Sequence, residues 1–193
     1  MTDQLSSTPT SHTFASPDLL WDWLEQHHAD QRELWVCLLK KATGRPSVTW
    51  DDCVRAALAW GWIDGQRRAR DDDSFLQRLT PRRPRSSWSA RNCTLAEELI
   101  QRGTMQPPGL HQVQTARNDG RWERAYAGAA TMVLPEDFLD ALQRTPGAQQ
   151  AFSSLGRQAQ YAIYQQLQTA ATVETRLRRM NKALAVLRRD VVT

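Results

Sequence analysis

WGWIDGQRRARDDDSFLQRLTPRRPRSSWSARN, residues 60–92, sets a polar hairpin between two helical stretches and so separates an α+β chain from an all-helical one. Gln66–Arg70 and Phe75–Leu79 alternate and flank Asp71-Asp72-Asp73-Ser74, which predicts two short strands joined by a hydrated turn. The three Asp lack the alternating ligands, the Gly and the distal Glu of a calcium loop, so no metal site is expected there. Pro81 and Pro84 stop the following Arg run from continuing as helix or central strand, which leaves it a loop.

Upstream, Ser16 precedes Pro17 and Asp18, a helix start, and Leu20, Trp23, Leu24 and His27 recur at helical spacing. Leu34–Leu39, LWVCLL, is apolar on both alternating faces and predicts a strand covered on both sides. A Thr43-Gly44-Arg45-Pro46 turn leads to a helix capped at Thr49, with Asp51 and Asp52 in its first turn. That helix is expected to carry Trp60, Trp62 and Asp64 at its end, with Gly61 and Gly65 turning the backbone. Residues 1–13 read as a disordered lead-in.

Downstream, Thr94 and Glu97 suggest a capping box for a helix ended by Gly103, and Pro107-Pro108-Gly109 opens another with Leu110, Val113 and Ala116. From Pro135 the chain is helical, with Phe138, Leu139 and Leu142, then Tyr161, Tyr164 and Leu167 inward. A last stripe runs through Leu177, Met180, Leu184, Leu187 and Val191. The expected architecture is α+β: a small antiparallel sheet with helices over residues 14–129, and a helical region over residues 130–193 packed on it.

The net charge of +4 is unevenly spread. Residues 64–92 carry eight Arg against four Asp, and residues 173–193 carry six Lys and Arg against two acids. Such patches on an otherwise acidic chain suit local anion contacts rather than general polycation binding. Three isolated Cys show no ligand spacing and read as reduced core residues of a cytosolic protein. No apolar run suggests a signal peptide or a membrane span, and no metal or cofactor motif is visible. The last helix is expected to pack on its own domain, which favours a monomer.

Several ordered runs together resemble the YdeI/OmpD-associated family, called bacteriocin-protection proteins. They are Leu34-Trp35-Val36 with Lys40-Lys41, Ala56 through Gly65, Thr80-Pro81-Arg82-Arg83, Ser87-Trp88-Ser89 with Asn92, Gly120-Arg121-Trp122 with Ala125-Tyr126, and Glu174-Thr175-Arg176. The resemblance covers Phe14 to about Leu187. It implies bacterial origin, association with a porin and protection against bacteriocins or related stress. Gln66 and Arg67-Arg68 depart from it where a Lys is commoner, which keeps charge but replaces a point charge by forks.

The expected function is binding of a small anionic ligand in a Trp- and Arg-lined cleft. Arg82 and Arg83 are the expected anion clamps, with Lys40 and Lys41 adding charge, because guanidinium forks match phosphate and carboxylate. Trp62 and Trp88 are the stacking walls, Trp60 lies beside them, and Asp64 orients a cation. Ser89 and Asn92 complete the lining. Two alternatives stay open: single-stranded nucleic acid along Arg78–Arg91, and an enzyme using Asp64 as acid or base. No nucleophile–base pair is visible among the Ser and His residues.

Overall fold

The structure is a computed structural model and describes residues 10–189. Among these, thirteen elements follow one another, four strands, eight α-helices and one 3-10 turn. The chain divides into two compact units, one of Met1–Ser86 with Leu95–Gln114, the other of Ser87–Thr94 with Thr115–Thr193. Residues 87–94 and 115–129, which the sequence assigns to the α+β part, thus group with the C-terminal helices.

In the first unit, α1 (Pro17–His27) starts at Ser16 with Pro17 in its first turn and buries Leu20 and Leu24. β2 (Leu34–Leu39) is buried along five of its six residues, as its doubly apolar pattern requires. α2 (Trp50–Ala59) begins with a capping box: Thr49 accepts from the Asp52 amide while the Asp52 carboxylate accepts from the Thr49 amide. β3 (Trp62–Ala69) and β4 (Ser74–Pro81) form the hairpin, and β4 lies between β2 and β3.

The sheet departs from expectation in three ways. It is mixed rather than antiparallel, because β1 (Ser11–His12) runs parallel to β2 through Ser11 and Trp35. That strand also falls within the expected lead-in, whose residues 1–9 lie outside the described chain. Thirdly, the hairpin is longer than its polar core suggested: Trp62, Ile63 and Asp64 are strand, paired with Pro81, Thr80 and Leu79. Only Gly61 takes the left-handed turn, at φ 74°. Gly65 sits instead at a bulge between Asp64 and Arg67, where the buried Gln77 amide donates to the Gly65 carbonyl.

Three helices complete the list of departures. α3 (Ala90–Gln101) starts four residues before the expected box. Ser89 caps it by accepting from the Asn92 amide, and Thr94 lies inside, bonded back to the Ala90 carbonyl. α4 (Pro107–Asn118) buries Val113 and Ala116 but leaves Leu110 exposed. In the second unit α6 (Ala148–Ser154), which no periodic signal announced, begins after Gly147 at φ 76°.

The remaining helices of that unit are α5 (Glu136–Arg144), α7 (Arg157–Gln168) and α8 (Val173–Arg189). Phe138, Leu142, Phe152, Leu167, Met180 and Leu187 form its core. Leu139 and Leu177 are exposed rather than inward, and Val191 lies outside the described residues. Arg176 ties α8 to α5 through two bonds to Asp137, at 2.7 and 2.6 Å, and its third nitrogen donates to the Leu167 carbonyl.

Two substitutions probe these contacts. Alanine in place of a helical glycine ordinarily gains about 0.5–1 kcal/mol. At Gly109, however, a Cβ would stand 2.3 Å from the Ala59 carbonyl oxygen and 2.5 Å from that of Leu58. Gly109→Ala is therefore expected to lose stability, by about 1–3 kcal/mol in urea unfolding. In the second unit, Arg176 holds the Asp137 carboxyl below its usual range. The contribution is thus present above the unfolded value of about 3.9 and fades as pH falls through the lower native value. The stability gap between the wild type and Asp137→Asn should follow that course, and a gap independent of pH would refute it.

Candidate functional site

β2 ends at Leu39, and the chain then makes a short loop before α2. Lys40 anchors it: its amide donates to Asp73 and its Nζ to the Asp72 carbonyl at 2.8 Å. Lys41–Thr43 form a 3-10 turn closed by Gly44 at φ 64°. The returning segment is pinned where Ser47 Oγ accepts from the Leu39 amide at 3.0 Å. Trp50, the first residue of α2, is 42% exposed because that position precedes the buried stripe of the helix.

These segments enclose a hollow of about 350 Å³. Its floor is carbon from Leu38, Leu39, Val48 and Phe75, its wall is the Trp50 ring, and its rim carries Lys40, Lys41 and Arg45. Lys41 and Arg45 form no ion pair among the described residues. The Trp50 indole donates to Asp64 Oδ2 at 3.2 Å, which fixes the ring by its edge. Arg67 lies over the Phe75 ring at 3.7 Å. Apolar floor, aromatic wall and cationic rim together suit an amphiphilic anion.

The expected site residues fall into different settings. Lys40 and Lys41 are on the rim, and Asp64 holds Trp50 rather than a cation. Trp60 is buried between Trp21 and His28, with ring centroids at 6.2 and 4.6 Å. Trp62, expected as a stacking wall, is 1% exposed, donates to the His28 carbonyl and meets Trp23 edge-on. Arg82 is buried: its amide bonds the Gly61 carbonyl and its Nη1 the Ser86 hydroxyl. Arg83 is exposed.

Trp88, Ser89 and Asn92 belong to the second unit. Trp88, the other expected wall, is 1% exposed beside Trp122, Ser89 caps α3, and Asn92 is buried. Truncating a buried Trp costs about 3–5 kcal/mol, more than most single ligand contacts are worth. Loss of binding in such a variant would therefore report unfolding first.

Sequence reasoning missed Arg45 and Trp50. The available signal was the cap at Thr49, which puts the next residue on a helix's exposed first turn. Other arginines of the basic stretch are engaged within the sheet. Arg68 and Arg78 lie over Trp35 at 4.9 and 6.0 Å, and Arg78 also pairs with Glu33 at 2.6 Å. Among the described residues no group of three His, Cys, Asp or Glu could hold a metal, and no helix is long and apolar enough to cross a membrane.

The architecture is that of an α+β protein with a hollow of about 350 Å³ beside its sheet. Residues 12–112, just over half of the chain, match the family model described as a domain of unknown function (DUF8412), and the chain belongs to that family. Residues 131–190 match the model described as bacteriocin-protection, YdeI or OmpD-associated. No curated protein and no solved structure matches the chain. The resemblance read over Phe14–Leu187 is thus carried by its own family model in the C-terminal helices, while the runs around Trp60 and Arg82 fall within the other match.

All three cysteines are buried thiols outside any disulfide. Burial pushes the Cys53 thiol up to about 12, with the Asp52 and Asp64 carboxylates adding to the rise. A thiol so placed has almost no thiolate at neutral pH and is a poor nucleophile. Iodoacetamide at neutral pH should leave Cys53 unmodified in the folded chain and alkylate it in urea, as read by peptide mass spectrometry. Rapid native labelling would contradict the burial.

Proposed function

We propose that this chain binds a small amphiphilic anion, an apolar body bearing a carboxylate or phosphate, in the hollow beside β2 and α2. The observation that carries the reading is the juxtaposition of Lys41 and Arg45, outside any ion pair, with the exposed face of Trp50 above a carbon floor. The apolar body gains by leaving water, roughly 25 cal/mol for each Å² buried. The head group gains charge-assisted bonds, which are about twice as strong as neutral ones. Neither part suffices: an inorganic anion wastes the floor, and a neutral hydrocarbon leaves the rim unused.

Arg82 and Arg83 are then no part of the clamp; Lys41 and Arg45 take that role, and Trp50 takes the role of stacking wall. Asp64 acts through Trp50 as a positioning residue. The single-strand nucleic-acid reading has less support, since Trp62 and Trp88, the rings interleaved with the basic strip, are buried. The cellular setting we infer is protection against bacteriocins or envelope stress, on the strength of the family description for residues 131–190. A basic rim repels cationic peptides, so that protection would be indirect, through the bound anion.

Phenyl phosphate is the probe. In a proton–nitrogen correlation spectrum the Trp50 indole peak is assigned by its loss in Trp50→Phe. Phenyl phosphate should move that peak saturably, benzyl alcohol should barely move it, and added salt should weaken the effect. Reversing both Lys41 and Arg45 to Glu should lower affinity about a hundredfold or more, on two charged hydrogen bonds. An unmoved Trp50 peak up to about 10 mM, weaker than the weakest ordinary ligands, would sink the reading.

A further inference from the structure

The second unit contains a hollow of different chemistry. It measures about 500 Å³ and is lined by Ser87 and Tyr126 on one side, with Gln165, Gln166 and Thr169 from the end of α7 and Arg179 from α8 on the other. We propose that it is a binding site for a hydroxylated carboxylate of the sugar-acid kind, distinct in residues and ligand class from the hollow of the first unit.

The loop that carries Tyr126 is held from both directions. Its amide donates to the Trp88 carbonyl and its carbonyl accepts from the Ala90 amide. One residue on, the Ala127 amide donates to the Tyr164 hydroxyl and the Ala127 carbonyl accepts from that of Tyr161, both at 3.0 Å. Two phenols from α7 therefore fix the wall opposite the helix end. A fixed wall matters, because ordering a loose one would subtract from any affinity.

The lining selects the ligand. Serine, tyrosine and glutamine side chains both donate and accept; the Thr169 hydroxyl already donates to the Gln165 carbonyl and accepts from Arg179, whereas the Gln166 side chain spends neither capacity within the described protein. Sugar hydroxyls likewise do both, whereas a fully ionised phosphate only accepts and would leave the Gln166 side-chain oxygen unmatched. The lining is more polar than apolar, with Ala162 and Tyr126 its least polar members, which suits a pyranose face better than a hydrocarbon body.

Charge narrows the choice further. The hollow lies at the C-terminal end of α7, where the helix dipole is negative and disfavours anions. Arg179 offsets that end by donating through Nη1 to the Gln166 carbonyl and the Thr169 hydroxyl, at 2.6 and 3.3 Å. Its Nε and Nη2 make no hydrogen bond among the described residues. One offset guanidinium with a remaining edge fits a single carboxylate and opposes a dianion.

D-glucuronate is the test ligand, with methyl β-D-glucoside and acetate as controls. Titrated into the full chain, glucuronate should shift the backbone amides of Tyr126, Gln165 and Thr169 saturably and leave the Trp50 indole peak in place. The glucoside should bind more weakly, and acetate should not reproduce the pattern. Gln166→Ala removes an exposed side chain with no internal bond, so it should fold normally and weaken glucuronate about two- to tenfold. Arg179→Lys keeps the charge but loses the fork, and should weaken glucuronate more than the glucoside. No localised shifts, shifts matched by acetate at equal affinity, or binding indifferent to both substitutions would each overturn the assignment.

Discussion

The first unit depends on how closely two backbone turns approach each other. α2 ends at Ala59, Trp60 and Gly61 follow as its cap and turn, and the Pro107-Pro108-Gly109 start of α4 lies directly against them. The Gln106 amide donates to the Ala59 carbonyl, and a Cβ on Gly61 would stand 2.9 Å from the Pro108 oxygen. With Gly on both sides, and proline supplying a helix start that needs no amide donor, the two segments meet almost main chain to main chain. Gly61 then reverses the chain into β3, and its carbonyl receives the Arg82 amide at the far end of the hairpin. One contact therefore fixes the end of α2, the entry to the sheet and the seat of α4.

That constraint explains the use of the tryptophans around the turn. A chain turning so sharply at Gly61 places Trp60 and Trp62 inward, where Trp21, Trp23 and His28 meet them. Each ring buries about 150–250 Å². A chain of modest apolar content gains much of its core from these few large side chains. The wall of the first unit's hollow comes instead from Trp50, whose indole is held at its edge by Asp64.

What the sequence made legible was the part governed by local rules. The Ser16-Pro17 start, the doubly apolar β2, the Thr49 box and the turn at Asp71–Asp73 all follow from short-range chemistry and stand where that chemistry puts them. Trp62–Asp64 were misplaced because strand pairing with Thr80 and Pro81 is a long-range partnership that no local pattern declares. Thr94 misled because Thr-x-x-Glu satisfies the capping rule in isolation, while Ser89, five residues earlier, already supplies the cap. The surroundings of the basic residues are set by the same long-range pairing. Arg68, Arg78 and Arg82 look alike in sequence, and only the fold shows that two cover Trp35 and one is buried beside Ser86.

The fate of those arginines also bears on how charge should be read in this chain. A guanidinium lying on an indole or paired with Glu33 has spent part of its surface and its directionality, and what remains attracts anions only through a screened field. Lys41 and Arg45 sit outside the dense Arg run, form no ion pair among the described residues, and line one hollow with Trp50 and Phe75. Under such conditions the density of positive charge along a sequence is a weaker guide than its company. A cation beside an apolar recess is placed to meet an amphiphile, while Arg68 and Arg78 of the dense run are taken up by Trp35 of their own sheet.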